Sequence, residues 1–395
     1  MKAVIMAGGL GTRIASVANN IPKSMIRING KPVLQYQIEN LRSNGIKDIT
    51  IVVGHLGDVI KNYFCDGSSF GVNIKYFTED IPHGTAGALF YMASLDEDFL
   101  LILGDILFDV DFSRFIHYHR SSNALATVMA HPNAHNFDCS MLVTRYRGFR
   151  SKEYNPIDTH VIKSWLSTDD QRGELRNLVN CGVHIIKPEL LGMAKKSFVP
   201  LRKDNPKFVD LDRNILKPFV KTKRIIAYDT CEYLKDMGTP ERLYECERDI
   251  QNGMFLGRSY SRIKKAVFFN REEVIAERDG ALKKGATEAL KIINSTQYLA
   301  IAVSCKSGSF ESLSAIDCRI DTALSKKHAF IDGIYYKPFF MEQASLDMNI
   351  DLTKSIYIGK RPEMLSEAEK ECTFIDIENE DGFLDYIKKY LVCGK

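Results

Sequence analysis

Residues 1–13 read Met1-Lys2-Ala3-Val4-Ile5-Met6-Ala7-Gly8-Gly9-Leu10-Gly11-Thr12-Arg13. The apolar run predicts a buried first β-strand, and it is too short for a signal peptide. The glycines that follow let backbone N–H groups wrap an anionic phosphate, because no Cβ stands in the way. Arg13 can add a bidentate contact to a departing pyrophosphate. The start of the chain therefore predicts a phosphate-binding turn at the end of a strand.

Two other phosphate-binding motifs begin in a similar way but fit less well. A dinucleotide-binding fold has the spacing G-x-G-x-x-G and continues into a helix, whereas here Pro22-Lys23 follows a poorly helical stretch. A P-loop would end in Gly-Lys-Ser/Thr, which this turn does not.

Composition narrows the class of protein. The 395 residues are 45% hydrophobic and 26% charged, which is ordinary for a globular protein and long enough for two or three domains. The net charge of +3 gives no argument for a nucleic-acid partner.

No segment approaches the roughly 20 apolar residues of a membrane span, so we expect a cytoplasmic protein without a membrane partner. The nine cysteines lack close spacing, which favours free thiols in a reducing compartment.

Strand-like and helix-like segments alternate through the first half of the chain. Strands are expected at 3–7, 48–53, 73–77, 99–103 and 124–130, and helices at 33–44, 56–64 and 85–92. This alternation predicts an α/β, Rossmann-like domain over 1–250, with a mainly parallel sheet and ligands at the carboxyl ends of its strands. Segments 141–145 and 159–166 predict an antiparallel insertion that walls a second substrate. A linker is expected at 251–263, and a smaller α/β domain at 264–395, with strands at 264–269, 298–303 and 355–358 and helices at 283–294 and 382–391.

The glycine-rich turn followed by Pro22-Lys23 resembles the signature of the sugar nucleotidyltransferase family. The resemblance continues through Asn29-Gly30-Lys31-Pro32, Asn44-Gly45-Ile46 and residues 67–71, and it covers most of residues 1–245. It implies that Lys23 contacts the phosphates at the reacting centre. The nucleotide would be a nucleoside triphosphate (NTP) and the second substrate a sugar 1-phosphate.

Two aspartates match the metal ligands of that family. Asp105 ends the most apolar strand, where a carboxylate faces the ligand cleft, and Asp236 lies in Lys235-Asp236-Met237-Gly238-Thr239-Pro240. The resemblance implies that both hold Mg²⁺, an ion that prefers hard oxygen ligands and also binds phosphate oxygens.

The family resemblance also implies a nucleobase segment and a sugar pocket. Glu79-Asp80-Ile81-Pro82-His83-Gly84-Thr85-Ala86-Gly87 would lie beside the base, although an ordinary helix start capped by Thr85 is the alternative, and His83 replaces a usual apolar residue. Asn180-Cys181-Gly182-Val183 would line the sugar pocket, with a strand-edge asparagine as the alternative. The Glu-Lys-Pro that normally precedes it is replaced by Trp165-Leu166-Ser167-Thr168-Asp169, and Arg172 or Lys163 is left to supply the missing cation.

The complete set of expected site residues follows from this resemblance. The catalytic residues are Arg13, Lys23 and Asp105, and the metal ligands are Asp105 and Asp236. Sugar binding is expected at Gly87, Asn180 and Gly182. Nucleotide binding is expected at Ala7, Gly8, Gly9, Gly11, Thr12, Arg13, Glu79, Pro82, Gly84, Thr85 and Gly104.

The second domain resembles the haloacid-dehalogenase (HAD) superfamily, in its heptose-bisphosphate and histidinol-phosphate phosphatase branch. The similar segments are Phe268-Phe269-Asn270-Arg271-Glu272, Ser304-Cys305-Lys306-Ser307-Gly308 and Gly359-Lys360-Arg361. Asn270 replaces the nucleophilic aspartate, Glu272 the acid/base aspartate and Lys360 an acidic residue, and the zinc loop is reduced to Tyr336-Lys337-Pro338-Phe339. An amide cannot act as an attacking carboxylate, so we expect an inactive, structural domain.

The expected function is Mg²⁺-dependent transfer of a nucleotidyl group to a sugar 1-phosphate for surface polysaccharide synthesis. By analogy with the fused domain, GTP and a heptose are favoured, with a mannose or glucose enzyme using GTP, UTP or CTP close behind. A non-catalytic sensor of nucleotide sugars and a bifunctional transferase–phosphatase are the alternatives. The sequence leaves open a homo-oligomer formed through either domain.

Overall fold

The computed structural model of the chain describes residues 1–9, 21–92, 95–144, 160–200, 204, 205, 207–304, 310–336, 340–360, 362, 365–376 and 382–392. Three expected nucleotide ligands, Gly11, Thr12 and Arg13, lie outside the described residues. Segments 305–309, 337–339 and 361, which carry parts of the expected phosphatase motifs, also lie outside them.

The strands are numbered in chain order. They are β1 Lys2–Met6, β2 Arg27–Ile28, β3 Lys31–Pro32, β4 Asp48–Val53, β5 Asn73–Thr78, β6 Phe99–Leu103, β7 Ile106–Asp109, β8 Ala126–His131, β9 Met141–Thr144, β10 Ile162–Leu166, β11 Val179–Ile186, β12 Ile225–Asp229, β13 Tyr233–Asp236, β14 Lys265–Asn270, β15 Tyr298–Ser304, β16 Gly333–Tyr336, β17 Ile356–Ile358 and β18 Thr373–Ile375.

The α-helices are numbered in the same way. They are α1 Val33–Ser43, α2 Gly57–Phe64, α3 Phe112–Arg120, α4 Pro188–Lys196, α5 Pro240–Gln251, α6 Met254–Gly257, α7 Ala286–Asn294, α8 Phe310–Ser325, α9 Phe340–Met348 and α10 Gly382–Ile387.

The first sheet is built around β1, the strand that the opening sequence predicts. Its order is β10-β9-β11-β6-β1-β4-β5, and β8 pairs with both β11 and β12. The stretch β6-β1-β4-β5 is parallel, as is the β8–β12 pair. The strands β9 and β10 are antiparallel to each other, as expected for the insertion, and β11 also runs antiparallel to β6, β8 and β9. The carboxyl ends of β1, β4 and β6 therefore lie side by side, where ligands of such sheets bind.

Helices cover both faces of this sheet because their apolar residues recur at helical spacing. In α1 the buried positions include Val33, Leu34, Ile38 and Leu41, which form one face, and the helix ends just before Gly45. One face of the sheet packs against α1, α2 and α3. The other packs against α4 and the irregular turns at 211–222.

A second sheet lies further along the chain and is parallel throughout, with the order β16-β15-β14-β17-β18. Its two faces bury separate hydrophobic clusters. The fold is thus α/β with mainly parallel strands. The sequence patterns did not predict β16, β18, α8 or α9.

The segment expected to be a linker, 251–263, packs against its surroundings. Helix α5 extends into it, and α6 buries Met254 and Phe255. The guanidinium of Arg258 donates to Asp332 Oδ1 at 2.6 Å, and these side chains are 7% and 1% exposed. An ion pair this deeply buried requires a fixed geometry, so the segment forms a packed corner.

The structure corrects the helix expected at 85–92. The described residues there form only a short 3₁₀ turn, Gly87–Phe90. Within the described ranges, the seven cysteines for which a state is assigned are free thiols. None of the described helices combines the length and the hydropathy that crossing a membrane requires.

Candidate active site

The turn after β1 approaches the neighbouring strands closely. Ala7 N–H donates to a carbonyl of β4 at 2.9 Å, and Gly104 N–H donates to a carbonyl of β1 at 3.0 Å. A Cβ atom on Gly8 would lie 3.0 Å from Oε2 of Glu79 and 3.2 Å from the backbone nitrogen of Gly54. Gly8 therefore brings the buried Glu79 carboxyl up to the turn, and burial raises the pKa of this carboxyl.

Lys23 and Asp105 form an ion pair at the carboxyl edge of the first sheet. Lys23 begins the 3₁₀ turn Lys23–Met25, and its Nζ donates to Oδ2 of Asp105. The two side chains are 13% and 30% exposed, so this pair borders on solvent. Two of the three expected catalytic residues are thus in direct contact.

A two-stranded ribbon brings the two expected metal ligands together. Strand β7 follows Asp105 and pairs antiparallel with β13, which places Asp236 opposite Ile106. Met237 N–H also donates to the backbone oxygen of Asp105 at 3.0 Å. Two carboxylates from distant parts of the chain therefore lie on adjacent strand ends.

Both aspartates line a cavity of about 250 Å³. Of the expected site residues, it brings together Thr85, Asp105, Asn180, Gly182 and Asp236. Further lining residues include Asn133, Asp138, Cys139, Ser140, Asp212, Lys235 and Arg242. We call the segments 133–140 and 177–182 the cavity wall, because they contribute Asn133, Asp138, Cys139, Ser140, Asn180, Cys181 and Gly182 to the lining.

Arg242 is an important cavity residue that the motifs did not predict. Its Nη1 donates to Oδ1 and Oδ2 of Asp236 at 2.6 and 2.8 Å, and its Nη2 donates to Asp138 at 2.5 Å. Burial lowers the pKa of Arg242, but Asp236 and Asp138 raise it by more. A sequence signal existed, since Arg242 lies in the first turn of α5, just after the Thr239 cap and close to Asp236.

The two carboxylates are suitable ligands for a magnesium ion, whose coordination would be completed by substrate oxygens. Among the described residues, no group of three His, Cys, Asp or Glu side chains forms a ligand set. Mg²⁺ in phosphate-transfer sites commonly takes only one or two protein carboxylates, with phosphate oxygens and water as the other ligands. Lys23 forms an ion pair with Asp105, and Arg242 forms one with Asp236. A metal ion that bound both aspartates would have to displace these two cationic side chains.

Asn180 and Gly182 lie at an irregularity in β11. The register of β11 with β8 shifts between Asn180 and His184, and Gly182 has a φ of +73°. The side-chain oxygen of Asn180 accepts from Gly182 N–H at 3.0 Å, and its Nδ2 donates to Asp212 at 3.3 Å. Asp212 also accepts from the Ser140 hydroxyl at 2.6 Å, and burial raises its pKa. The irregularity in β11 thus directs the polar side chain of Asn180 into the cavity.

The segment expected to bind the base is held by residues 207–211. The Thr85 hydroxyl accepts from Leu211 N–H at 2.8 Å, so Thr85 does not cap a helix. Val209 N–H donates to His83 O at 2.8 Å. Gly87 is buried, and a Cβ there would lie 2.4 Å from the Cβ of His83. Gly87 is therefore packed behind the segment rather than lining the cavity.

Other residues of this segment lie closer to the surface. The carbonyl oxygen of Pro82 accepts from the side chain of Asn205 at 2.7 Å. Gly84 has a φ of +85°, and a Cβ there would lie 2.6 Å from Val209 O. The His83 ring lies 3.1 Å from Glu79 Oε1, and the same carboxyl lies beside Gly8 in the turn after β1.

Neither residue considered as a replacement for the missing lysine lines the cavity. Lys163 is exposed on β10. Arg172 donates to the carbonyl oxygens of Asn136 and Cys139 at 2.7 and 2.5 Å, which fixes the cavity wall from behind. Among the described lining residues, the lysine and arginine side chains are those of Lys235 and Arg242.

At the corresponding edge of the second sheet, several of the described side chains pair with one another. Asn270 ends β14, and its side-chain oxygen accepts from Glu272 N–H at 3.1 Å. Arg271 is 1% exposed and contacts Asp317, while its Nη2 donates to Glu272 at 2.6 Å. The Ser304 hydroxyl donates to the same Glu272 oxygen at 2.5 Å.

Comparison with known proteins finds similarity over part of the chain. Residues 2–138 match the family model described as nucleotidyl transferase. A UTP–glucose-1-phosphate uridylyltransferase of Synechocystis sp. is 32% identical over 206 residues, which cover 48% of this chain and 50% of that protein. A D-glycero-α-D-manno-heptose 1-phosphate guanylyltransferase of Campylobacter jejuni is 29% identical over 249 residues, which cover 62% of this chain and 97% of that protein.

The fold has a counterpart among solved structures. A UDP-glucose pyrophosphorylase solved with UDP-glucose superposes with a TM-score of 0.51 at 21% identity, covering 64% of this chain and 98% of that one. This similarity concerns the fold of the first part alone. Residues 2–138 are thus similar to the nucleotidyl transferase family model, and the chain has sugar-1-phosphate uridylyl- and guanylyltransferases among its relatives.

Proposed function

We propose that the chain transfers a nucleotidyl group from an NTP to a sugar 1-phosphate, releasing pyrophosphate. The observation that carries this proposal is the β7–β13 ribbon, which brings Asp105 and Asp236 to one cavity, with Lys23 in contact with Asp105. In this reaction an oxygen of the sugar phosphate attacks the α-phosphorus, and the bond from that phosphorus to the bridging oxygen of pyrophosphate breaks. Such transfers depend mainly on alignment and on neutralising charge.

Each part of the site has a role in this proposal. The turn at 7–9 and Lys23 would bind the triphosphate, and Arg13 would contact the pyrophosphate. Asp105 and Asp236 would hold Mg²⁺, which supplies charge neutralisation at the phosphates when bound. Asn180 and Arg242 would hold the sugar phosphate, since both line the cavity next to Asp236. We propose GTP and a heptose 1-phosphate as substrates because of the Campylobacter relative, 97% of whose length this chain covers.

Pyrophosphate release tests the proposal directly. The full chain is incubated with Mg²⁺, each of four NTPs and a panel of sugar 1-phosphates, and we expect release with at least one pair. The variant Lys23→Met should lower kcat/KM by roughly 100-fold or more, because it removes a cation that stabilises phosphate charge. Its control is Lys61→Met, a half-buried lysine of α2 with a long 3.5 Å contact to Asp58.

Neutralising a carboxylate tests the metal assignment. Asp105→Asn should strongly lower turnover and raise the Mg²⁺ concentration that the residual turnover requires, whereas Asp48→Asn, at the opposite end of β4, should leave both unchanged. Normal turnover by Asp105→Asn would refute the assignment. Tight nucleotide-sugar binding by the unaltered chain without any turnover would instead favour a sensor. The sensor alternative is supported by the pairing of Asp105 and Asp236 with cationic side chains of the protein.

We propose that the second sheet belongs to an inactive HAD-like domain. The support is the strand order with β14 in the centre, Asn270 at its carboxyl end, and Arg271 and Glu272 filling the edge. A bifunctional enzyme would release phosphate from a sugar bisphosphate, and Asn270→Ala would abolish that release. We expect no release from either protein.

A further inference from the structure

Helix α8 of the second sheet carries a buried ion cluster that includes a residue from the first part of the chain. Arg176 lies just before β11, and its Nε donates to Asp321 Oδ2 at 2.7 Å. Its Nη1 lies 3.5 Å from Asp317 Oδ2, and Asp317 also contacts Arg271. Arg176 is 14% exposed and the two aspartates are 1% exposed. Asp321, Asp317 and Arg271 belong to the second part, so the cluster joins the two.

The same helix binds the backbone around Arg176. Asn177 N–H donates to Asp321 Oδ2 at 3.1 Å, and Leu175 N–H donates to the Thr322 hydroxyl at 2.9 Å. That hydroxyl in turn donates to the carbonyl of Leu175 at 3.2 Å. Segment 175–177 thus contacts α8 both through its backbone and through the side chain of Arg176.

A further contact reaches the other half of the cavity wall. The side-chain Nδ2 of Asn136 donates to the Ser325 hydroxyl at 2.8 Å in a buried contact. The His328 ring, just beyond α8, lies 3.1 Å from the carbonyl of Ala134. Helix α8 and the turn after it therefore contact both 133–140 and 175–177.

These two segments are bonded to each other and lead directly to the cavity. The Asn177 side chain donates to the Asn133 carbonyl at 2.7 Å and accepts from Asn133 N–H at 3.2 Å. Asn180 N–H donates to Ser140 O at 3.0 Å. Asn133, Ser140 and Asn180 all line the cavity. A displacement at Arg176 would therefore reach the cavity after only a few hydrogen bonds.

The charge arrangement favours a fixed geometry over a mobile one. Burial lowers the pKa of Arg176, but Asp321 and Asp317 raise it by more, so the guanidinium stays charged. A buried charge is tolerated only when its partners are held in good geometry, and the planar guanidinium suits two carboxylates.

We propose that α8 is a positioning element for the cavity wall, and that Arg176 and Asp321 are the positioning residues through which the second part of the chain shapes sugar-phosphate binding. The proposal rests on the proposed function for its substrate, because the wall is the side of the cavity assigned to the sugar. Neither residue contacts the cavity itself. Their effect is on where Asn180 and Ser140 are held.

Hydrogen exchange of the full chain tests the docking independently of catalysis. In Arg176→Met, peptides that cover 133–142 and 175–182 should exchange at least about fivefold faster, while peptides of β4 and β5 stay unchanged. The matched control is Arg319→Met, which removes the same charge from an exposed pair between α8 and Glu174, where the side chains are 49% and 57% exposed. Unchanged exchange in Arg176→Met would overturn the proposal.

Kinetics test the effect on the substrate. Arg176→Met and Asp321→Asn should raise KM for the sugar 1-phosphate about tenfold, with KM for the NTP changed less than twofold. Arg176→Lys retains the charge and should fold even if Arg176→Met does not, with an intermediate KM. An equal rise in both KM values, or a fall in kcat alone, would overturn the positioning role. If the unaltered chain has no turnover, the proposed function fails, and the exchange experiment still decides the docking.

Discussion

Gly182 shows how one residue shapes the cavity. Its positive φ accompanies the register shift in β11, and its N–H is accepted by the side chain of Asn180. A Cβ atom at this position would lie 2.5 Å from the Cδ1 of Ile106 and 2.9 Å from that of Leu103. The position therefore excludes a side chain both by its backbone conformation and by its neighbours.

We predict that Gly182→Ala destabilises the chain by roughly 2 kcal/mol or more, because it combines a strained φ with a clash against buried side chains. The measurement is urea unfolding followed by fluorescence and circular dichroism. Gly192→Ala, in α4 with open space around its Cβ, should instead be neutral or stabilising by up to about 1 kcal/mol. Equal stability of the two variants would contradict this account.

Local motifs predicted some of the residues that line the cavity and missed others for a physical reason. Asp105 and Asp236 follow or end strands and lie in distinctive short motifs, so their convergence on one cavity could be predicted. Asp212 and Arg242 lie in a turn and a helix, where charged residues usually face solvent, and only tertiary packing turns them inward. Gly87 illustrates the opposite error, because its small size serves packing against His83.

At the scale of elements, strongly periodic segments were predictable and the junctions between them were not. Strands β1, β4, β5 and β6 and helices α1 and α2 lie close to their expected positions. The helix expected after Gly84 is largely replaced by hydrogen bonds to 207–211, which its own sequence does not reveal. The corner at 251–263 is polar in sequence but contains Phe255, whose ring meets Tyr36 and Tyr233 edge to face at 5.4 and 5.3 Å.

Helix α6 allows a sharp test of the packed corner. Phe255→Ala should lower the free energy of unfolding by about 3–5 kcal/mol, because a large buried ring leaves a cavity behind. Leu256→Ala, its neighbour with 45% of its surface exposed, should change it by less than about 0.5 kcal/mol. Chemical denaturation of both variants measures the difference. A flexible linker would predict equally small effects for the two.

At the scale of the whole molecule, the two sheets are joined through buried polar groups. Glu232, which precedes β13, is 3% exposed and accepts from Asp111 N–H at 2.8 Å and Tyr260 N–H at 3.0 Å. These contacts connect the start of α3 with the corner. Sequence patterns indicated both sheets, but they gave no sign of this connection, because a buried glutamate looks like any surface acid.

We predict that Glu232 makes stability depend on pH. Burial raises the pKa of Glu232 in the folded chain to about 7, from an ordinary value of 4.5. The folded state therefore retains a proton that the unfolded state loses, and stability falls as pH rises from about 4.5 to about 7. The loss from this group amounts to at most about 3 kcal/mol.

Glu232→Gln should remove this component, since the amide oxygen can still accept both N–H groups. The free energy of unfolding of the variant relative to the unaltered chain should rise between pH 4.5 and pH 8. Glu277→Gln, which removes an exposed carboxylate, serves as the control. A difference that stays constant across this range would disprove the role of Glu232.

The contact between Arg176 and α8 also has a consequence for biosynthesis. Arg176 leaves the ribosome long before Asp321, its partner 145 residues further along the chain. The first part of the chain can thus emerge and begin to fold while the cavity wall still lacks support, because distant pairings form last. A nascent chain arrested before α8 should therefore bind nucleotide but not the sugar 1-phosphate of the proposed reaction.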